Sequence, residues 1–253
     1  MKPTDEVIPG VLYGTPDHIF SACHWQIVAK NAEKEGHNYT NKKPFNPDDM
    51  FLDIVFCLIG GHGVKAEAAW AFYKQFLNKI DPDNFTEEQV YELFTTPTEV
   101  FKDAKKQKYR FPRQKAKQIY QASQTIKGMV FDTNDHIKFR NQLMEFNGIG
   151  YKIAGWLTRN VLGSDEVAIL DVHILNAGKH IDLFPADYKL PKDYLKLEQR
   201  FLAFAKALGV KASCLDAVMW DEVRRIGSII LKNPSKRYAD VVRDLYEKRG
   251  DLV

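Results

Sequence analysis

A lysine and an aspartate nineteen residues apart are the groups in this sequence whose types and spacing best suit chemistry. Lys152 follows the segment Gly148-Ile149-Gly150-Tyr151, and Asp171 interrupts the apolar run 168–175. Two glycines around one apolar residue permit the positive φ angles of a tight turn between helices. The amides of such a turn and of the next helix form a positive concavity that suits a backbone phosphate. Lysine can act as a nucleophile when it is neutral, and Asp171 fits the N-cap of a helix.

Helices must position these residues, because apolar side chains recur at helical spacing through most of the chain. Thr86 to Gln89 reads as a capping box, and Asn46-Pro47 fits a cap followed by a proline in the first turn. We expect an all-α fold of roughly ten helices, with any small sheet confined to residues 1–30. The predicted helices cover residues 50–59, 64–79, a segment that starts after 86, 139–146, 151–162, 171–179, 195–208, 213–231 and 235–248.

The composition excludes several classes of protein. The 253 residues are 45% hydrophobic and 27% charged, which describes a globular chain, and no apolar run reaches the roughly 20 residues that span a bilayer. The amino-terminal residues lack the pattern of a secretory signal, so we expect a cytoplasmic protein, or a nuclear one in a eukaryote. Cys23, Cys57 and Cys214 form no CxxC pair, so we expect no iron–sulfur cluster and no other metal site built from cysteine.

The lysine and aspartate pattern resembles a known motif. Gly148 to Lys152, followed by Asp171 within the run 168–175, is similar to the helix-hairpin-helix and aspartate motif of the HhH-GPD DNA glycosylases, in their lysine-bearing 8-oxoguanine branch. The resemblance implies one glycosylase fold over residues 1–253, with the hairpin at about 139–162. It also implies two helical subdomains that flank a DNA-binding cleft, one of about 50–150 and the other of 1–49 plus 151–253.

The resemblance implies an enzyme that is both an 8-oxoguanine DNA glycosylase and an AP lyase. Asp171 would stabilise the oxocarbenium character that develops when the base leaves. Lys152 would form a Schiff base with the sugar and allow β-elimination. The residues implied to contact DNA phosphates are Gly148, Ile149, Gly150 and His173. A lone histidine in an apolar segment, such as His173, also fits a structural position in the core. The resemblance implies no required cofactor, and it leaves room for a monovalent cation at the hairpin.

Weaker similarity to the archaeal 8-oxoguanine glycosylases indicates a base pocket. An extruded base is held between planar or apolar groups, and its edge is recognised by hydrogen bonds. The similarity assigns this role to Gln26, Trp70, Asp216 and Trp220, and we add Trp156, one turn after Lys152. Two other interpretations stay open: Trp70 also fits the core of an amphipathic helix, and Ser213 to Asp216 also fits a capping box.

A basic segment is the predicted DNA-facing patch. Residues 102–117 contain eight basic residues and one acidic residue, whereas the whole chain has a net charge of +3. Phosphate contacts are electrostatic and independent of sequence, which suits the basic residues Lys105, Lys106, Lys108, Arg110 and Arg113. The alternative interpretation is that these residues form a solvated helix face, which has the same composition. We also expect the loop 109–111 to present the wedge that fills the gap left by the extruded base.

Two other functions remain open at this point. The first is a glycosylase for another damaged or mismatched base, although a purely hydrolytic enzyme has no use for Lys152. The second is a helix-hairpin-helix DNA-binding protein without catalysis, which does not need Lys152 together with Asp171. In the favoured interpretation the partner is double-stranded DNA with an oxidised base, no membrane is involved, and the protein is a monomer.

Overall fold

The computed structural model describes residues 1–37, 45–61, 63–100 and 106–232. Their regular structure is almost entirely helical, so the predicted all-α fold is confirmed. The elements are β1 (Glu6–Ile8), β2 (Val11–Leu12), α1 (Ala22–Lys34), α2 (Pro47–Ile59), α3 (Ala66–Lys79), α4 (Glu87–Thr95), α5 (Pro112–Ile126), α6 (His136–Leu143), α7 (Tyr151–Leu162), α8 (Val172–His180), α9 (Tyr194–Leu208) and α10 (Ala212–Ile230). β1 and β2 pair antiparallel.

Several helix boundaries follow from capping. Thr86 and Gln89 form the predicted capping box at the start of α4. Asp171 is the N-cap of α8, and α7 has the predicted bounds. α6 begins three residues earlier than predicted because Asp135 caps it, accepting a hydrogen bond of 2.8 Å from the Lys138 amide. Local side-chain chemistry therefore fixes these helix starts.

Two helices were not predicted from the sequence. The Ser21 side chain caps α1, and α5 begins with Pro112, which suits a first turn because its nitrogen has no hydrogen to donate. The expectation of a wedge in the loop 109–111 is wrong for Tyr109, which is buried and donates its hydroxyl to the Ile59 carbonyl. The predicted helix over 235–248 lies outside the described residues.

The chain divides into two compact units. The first combines residues 1–42 with 158–253, and the second consists of residues 43–157. In the first unit, α10 packs on α1, α8 and α9; in the second, α5 packs on α2 and α4. The boundaries expected from the sequence were approximate, near 50 and 150, and the second boundary of the compact units falls inside α7. Within the described part of the chain, no helix is both long and apolar enough to cross a membrane.

Candidate active site

The turn between α6 and α7 has one glycine in a left-handed conformation. Gly148 has a φ of +95°, and the buried Ile149 donates its amide to the Phe146 carbonyl at 3.0 Å. Gly150 does not have a positive φ, so the expectation that both glycines serve this purpose is correct for Gly148 alone. A Cβ atom placed on Gly150 would meet no other atom within 4 Å. The backbone there is open to a close approach from outside.

Side chains of helix α5 contact this turn. A Cβ on Gly148 would lie 2.5 Å from Nε2 of Gln118, which is buried. The Asn147 side chain donates to Oε1 of Gln121 at 2.9 Å. Oε1 of Gln118 has no hydrogen-bond partner among the described residues. The second unit therefore holds the turn through side chains that the motif itself does not contain.

Lys152 lies in the first turn of α7 and is exposed. The first amides of a helix have no acceptor within it, so they point towards whatever lies beyond the helix start. The charge of Lys152 also influences a neighbouring side chain in the second unit. Burial and the Asp53 carboxylate raise the pKa of the Cys57 thiol on α2, and the nearby Lys152 charge opposes this rise. The amine thus lies close enough to α2 for its charge to reach Cys57.

An aromatic cluster in the second unit contains two of the predicted pocket residues. The Phe56 ring centroid is 5.9 Å from that of Trp70, 5.1 Å from that of Tyr73 and 6.1 Å from that of Trp156. Trp70 is 51% exposed, so the interpretation of this residue as a core tryptophan is wrong. Phe56 contacts both Trp70 and Trp156 and so joins them in one surface, a role that was not predicted from the sequence.

In the first unit, one carboxylate oxygen of Asp171 makes the helix cap. Oδ1 accepts hydrogen bonds from the amides of His173, at 2.9 Å, and Ile174, at 3.0 Å. Oδ2 accepts none within the part of the chain that the structure describes. Capping therefore fixes the orientation of this carboxylate and leaves one oxygen able to act on a ligand.

Beside Asp171, α8 and α10 form a surface that combines aromatic and cationic groups. The His173 and Trp220 rings are 6.3 Å apart and nearly perpendicular, and the Arg224 guanidinium lies 5.1 Å from the Trp220 ring centroid. Trp220 is 38% exposed. A partly exposed tryptophan beside an arginine suits contact with nucleic acid, because aromatic rings stack on bases and cations attract phosphates.

Asp216 is buried rather than exposed. It is 2% exposed, its Oδ1 accepts from Nη1 of Arg159, and its Oδ2 accepts from the Ile169 amide at 3.4 Å. Burial raises the pKa of Asp216 to about 7, against the opposing influences of Arg159 and the Ile169 amide. Asp216 on α10 therefore contacts both α7 and the segment that leads into Asp171.

The capping-box interpretation of Ser213 to Asp216 is wrong. The N-cap of α10 is Lys211, whose side chain makes no capping hydrogen bond. Instead, Glu33 accepts from the Lys211 amide at 2.7 Å, and Asp165 accepts from the Ser213 amide at 2.8 Å. Carboxylates distant in sequence cap this helix, so Asp216 is available for Arg159.

Gln26, the remaining pocket candidate, is engaged within the fold. Its Nε2 donates to the Leu208 carbonyl at 2.6 Å, and its Oε1 accepts from the Tyr13 hydroxyl, also at 2.6 Å. Both ends of the side-chain amide are therefore paired inside the first unit.

The basic patch is exposed at the described positions Lys106, Lys108, Arg110 and Arg113, and Lys105 lies outside the described residues. Arg110 donates to the Gly63 carbonyl at 2.9 Å. Arg113 forms a 3.0 Å ion pair with Glu88 and lies 3.6 Å from the centroid of the Tyr91 ring. The two arginines are held in place, and Glu88 offsets part of the charge of the patch.

Tyr194 and Glu198 on α9, each 3% exposed, were not predicted from the sequence. Both contact the backbone just before Asp171. The buried positions of α9 include Leu197, Phe201 and Leu208, and Glu198 falls among them on the same face. A carboxylate at a core position was the available signal, because a buried carboxylate needs a partner.

The fold and the turn define the class of helix-hairpin-helix proteins. The family model for 8-oxoguanine DNA glycosylase matches residues 32–210, and the chain belongs to this family. DNA is therefore its partner. A Metallosphaera sedula 8-oxoguanine DNA glycosylase/AP lyase is 33% identical over 51% of this chain and 65% of its own length. A relative with the same description from Methanocaldococcus jannaschii is 28% identical over 74% of this chain and 86% of its own length.

Solved structures are similar in fold. The 8-oxoguanine DNA glycosylase of Methanocaldococcus jannaschii aligns with a TM-score of 0.61 and 21% identity, over 81% of this chain and 94% of its own. That of Thermotoga maritima aligns with a TM-score of 0.54 and 22% identity, over 80% and 88% of the two chains. These likenesses establish the shared fold.

Proposed function

We propose that the protein excises 8-oxoguanine from double-stranded DNA and then cleaves the strand at the resulting abasic site. The observation that carries the proposal is the exposed Lys152 in the first turn of α7, directly after the hairpin. Family membership and relatives described as 8-oxoguanine DNA glycosylase/AP lyases support the same activity.

Lys152 is the nucleophile in this proposal. The bond between C1′ and N9 breaks, the base leaves with the electron pair and takes up a proton, and the Lys152 amine bonds to C1′. Opening of the sugar ring gives an imine. Loss of a proton from C2′ then expels the 3′ phosphate by β-elimination, and water hydrolyses the imine to release the lysine. No oxidant or reductant is needed.

Asp171 and the hairpin have different roles. The carboxylate of Asp171 stabilises the positive charge that develops on the sugar as the base leaves. Its fixed Oδ1 and available Oδ2 support this assignment. The amides around Gly150 bind a DNA phosphate, and the absence of any atom near a Cβ on Gly150 supports a close approach there. His173 contributes a further phosphate contact.

The aromatic residues contact the extruded base. Trp70 and Trp156, joined through Phe56, offer planar surfaces for stacking, and Trp220 with Arg224 offers a second aromatic and cationic surface. Gln26 and Asp216 already have partners in the fold, so we assign them the shaping of the pocket rather than direct contacts with the base. The protein acts as a monomer and is located with the DNA it repairs, in the cytoplasm or in a eukaryotic nucleus.

Borohydride trapping tests the proposal, because borohydride reduces an imine to a stable covalent adduct. Labelled duplexes with 8-oxoguanine opposite cytosine, uracil, a thymine mismatch or an abasic site are incubated with the wild type, Lys152→Gln and Lys79→Gln. Lys79 is an exposed lysine at the end of α3 and serves as the matched control. We expect an adduct on the 8-oxoguanine duplex with the wild type and Lys79→Gln, and none with Lys152→Gln.

Each other outcome has a distinct meaning. Trapping on the abasic duplex alone would retain the lysine chemistry and overturn the assignment of 8-oxoguanine. Trapping on another lesion would identify a different glycosylase. Trapping that survives in Lys152→Gln would overturn the role of this lysine. Duplex binding without any adduct would favour a DNA-binding protein without catalysis.

A further inference from the structure

The backbone that leads into Asp171 is held by two side chains of α9. The Glu198 carboxylate accepts from the Ala168 amide at 3.0 Å. The Tyr194 hydroxyl donates to the Ala168 carbonyl at 2.8 Å and accepts from the Leu170 amide at 3.1 Å. Two side chains one helical turn apart thus make three hydrogen bonds to the segment 168–170.

These contacts are buried and continue directly into the catalytic aspartate. Ala168 and Leu170 are at most 2% exposed, and the Asp171 amide donates to the Ile169 carbonyl at 3.0 Å. The Ile169 amide in turn donates to Asp216, at 3.4 Å. In a buried setting, each of these polar groups must be paired, so the path of the segment depends on its side-chain partners.

The position of Asp171 matters because electrostatic stabilisation needs a carboxylate that is placed before the reaction begins. An interaction with a developing charge loses much of its value when the group is displaced by about 1 Å. The helix cap orients the Asp171 side chain, whereas its backbone position depends on the segment 168–170.

We propose that Tyr194 and Glu198 are positioning residues for base excision, which act by fixing the backbone before Asp171. The inference rests on the role assigned to Asp171 under the proposed function. Neither residue needs to touch the DNA. The expected consequence is selective: loss of either contact slows base excision and leaves DNA affinity close to that of the wild type.

Tyr194→Phe isolates the hydroxyl, because the ring and its packing remain. We expect base excision under single-turnover conditions with saturating enzyme to fall about tenfold, as for other displacements of a positioned group. The dissociation constant for the 8-oxoguanine duplex stays within about twofold. Tyr109→Phe is the matched control, because it also removes a buried hydroxyl that donates to a backbone carbonyl, but in the other unit.

Glu198 provides a second, independent pair of variants. Glu198→Gln retains an oxygen that can accept from the Ala168 amide, whereas Glu198→Ala does not. We expect Glu198→Gln to keep most of the excision rate. In Glu198→Ala the excision rate should fall by a factor similar to that in Tyr194→Phe. Equal excision rates in both Glu198 variants would overturn the role of Glu198. If Tyr194→Phe does not fold, this comparison decides the inference.

A double-mutant cycle with Asp171→Asn separates positioning from general damage. If Tyr194 acts through Asp171, Tyr194→Phe slows excision in the wild-type background and adds no further loss in the Asp171→Asn background. Losses that multiply would overturn the inference, and so would a wild-type rate in Tyr194→Phe. A wild-type rate in folded Asp171→Asn would instead overturn the role of Asp171 in the proposed function.

Discussion

Arg159 on α7 and Asp216 on α10 form a buried ion pair, in which the guanidinium donates from Nη1 to Oδ1 of the carboxylate. Their residue exposures are 7% and 2%. Burial raises the pKa of Asp216 to about 7, and Arg159 limits this rise. Since removal of charges from water is costly, the pair depends on both partners being present.

Removal of Arg159 should therefore destabilise the protein strongly and in a pH-dependent way. We expect Arg159→Met to lower the free energy of unfolding at pH 8 by about 3–5 kcal/mol, because it leaves a carboxylate buried without its cation. The pKa of Asp216, already raised in the folded state, then rises further. A group whose pKa is higher in the folded protein than in the unfolded chain contributes stability at low pH, and this contribution is lost as the pH increases. The loss of unfolding free energy in Arg159→Met is therefore smaller at pH 6 than at pH 8.

Urea denaturation of the wild type and Arg159→Met at the two pH values measures this effect. The control is the double variant Arg159→Met with Asp216→Leu, which removes both charges and should recover much of the lost stability. A deficit of equal size at pH 6 and pH 8 would show that lost packing, not the uncompensated carboxylate, is responsible.

The two hairpin glycines should respond differently to alanine. Gly148→Ala is expected to lower stability by roughly 1–3 kcal/mol, because the left-handed φ is strained and the Cβ would lie 2.5 Å from Gln118. Gly150→Ala should leave stability near that of the wild type and weaken DNA binding by about tenfold, since the methyl group would obstruct a phosphate at the amides. Thermal denaturation measures the stability of each variant, and fluorescence anisotropy measures its affinity for DNA. Wild-type affinity in Gly150→Ala would contradict phosphate binding at this turn.

His24 should make the protein sensitive to acid. Burial lowers its pKa from 6.5 to about 4, and its Nε2 has no hydrogen-bond partner among the described residues. A group whose pKa is lower in the folded protein than in the unfolded chain contributes stability at pH values above its pKa in the unfolded chain. This contribution is lost as the pH falls towards 4. Protonation of His24 therefore costs roughly 2–3 kcal/mol over this interval.

His24→Phe keeps an aromatic ring beside Trp25 and removes the titrating group. We expect the free energy of unfolding to fall less steeply between pH 7 and pH 4 in this variant than in the wild type. Part of the slope will remain, because burial also lowers the pKa of His180. His37→Gln, at an exposed position, is the control. An unchanged slope in His24→Phe would rule out His24 as a source of the acid sensitivity.

Trp220 should matter for the base more than for the fold. Because the residue is 38% exposed, we expect Trp220→Ala to cost about 1 kcal/mol of stability or less. Excision of 8-oxoguanine should fall far more than incision at a ready-made abasic site, where no base needs to be held. Leu195→Ala, with a side chain of similar exposure in the same unit, is the control. Equal losses in the two assays would indicate damage to the fold.

Features set by neighbouring residues could be predicted from the sequence. The caps at Thr86 and Asp171 depend on side chains within three residues of the amides they serve, so their residue types suffice. The start of α10 shows the opposite case. Its amides are capped by Glu33 and Asp165, whose positions depend on the packing of other elements, and the local pattern at Ser213 was therefore misleading.

Buried polar pairs show the same limit within the candidate site. Glu198 and Asp216 occupy core-facing positions of their helices, which signals that each has a partner. Their partners, the Ala168 amide and Arg159, lie 30 and 57 residues away in the chain. Spacing along one helix cannot identify such contacts, because they arise only when the helices pack. The roles proposed for Lys152 and Asp171, in contrast, rest on residue types and spacing within one motif.

The most direct test of the account is to locate the trapped adduct in the chain. The borohydride-reduced complex with the 8-oxoguanine duplex is digested with nuclease and trypsin, and the modified peptide is sequenced by mass spectrometry. We predict that the sugar remnant is attached to Lys152 and that trypsin no longer cleaves after this residue. An adduct on another lysine or on the amino terminus, with Lys152 unmodified, would contradict the account.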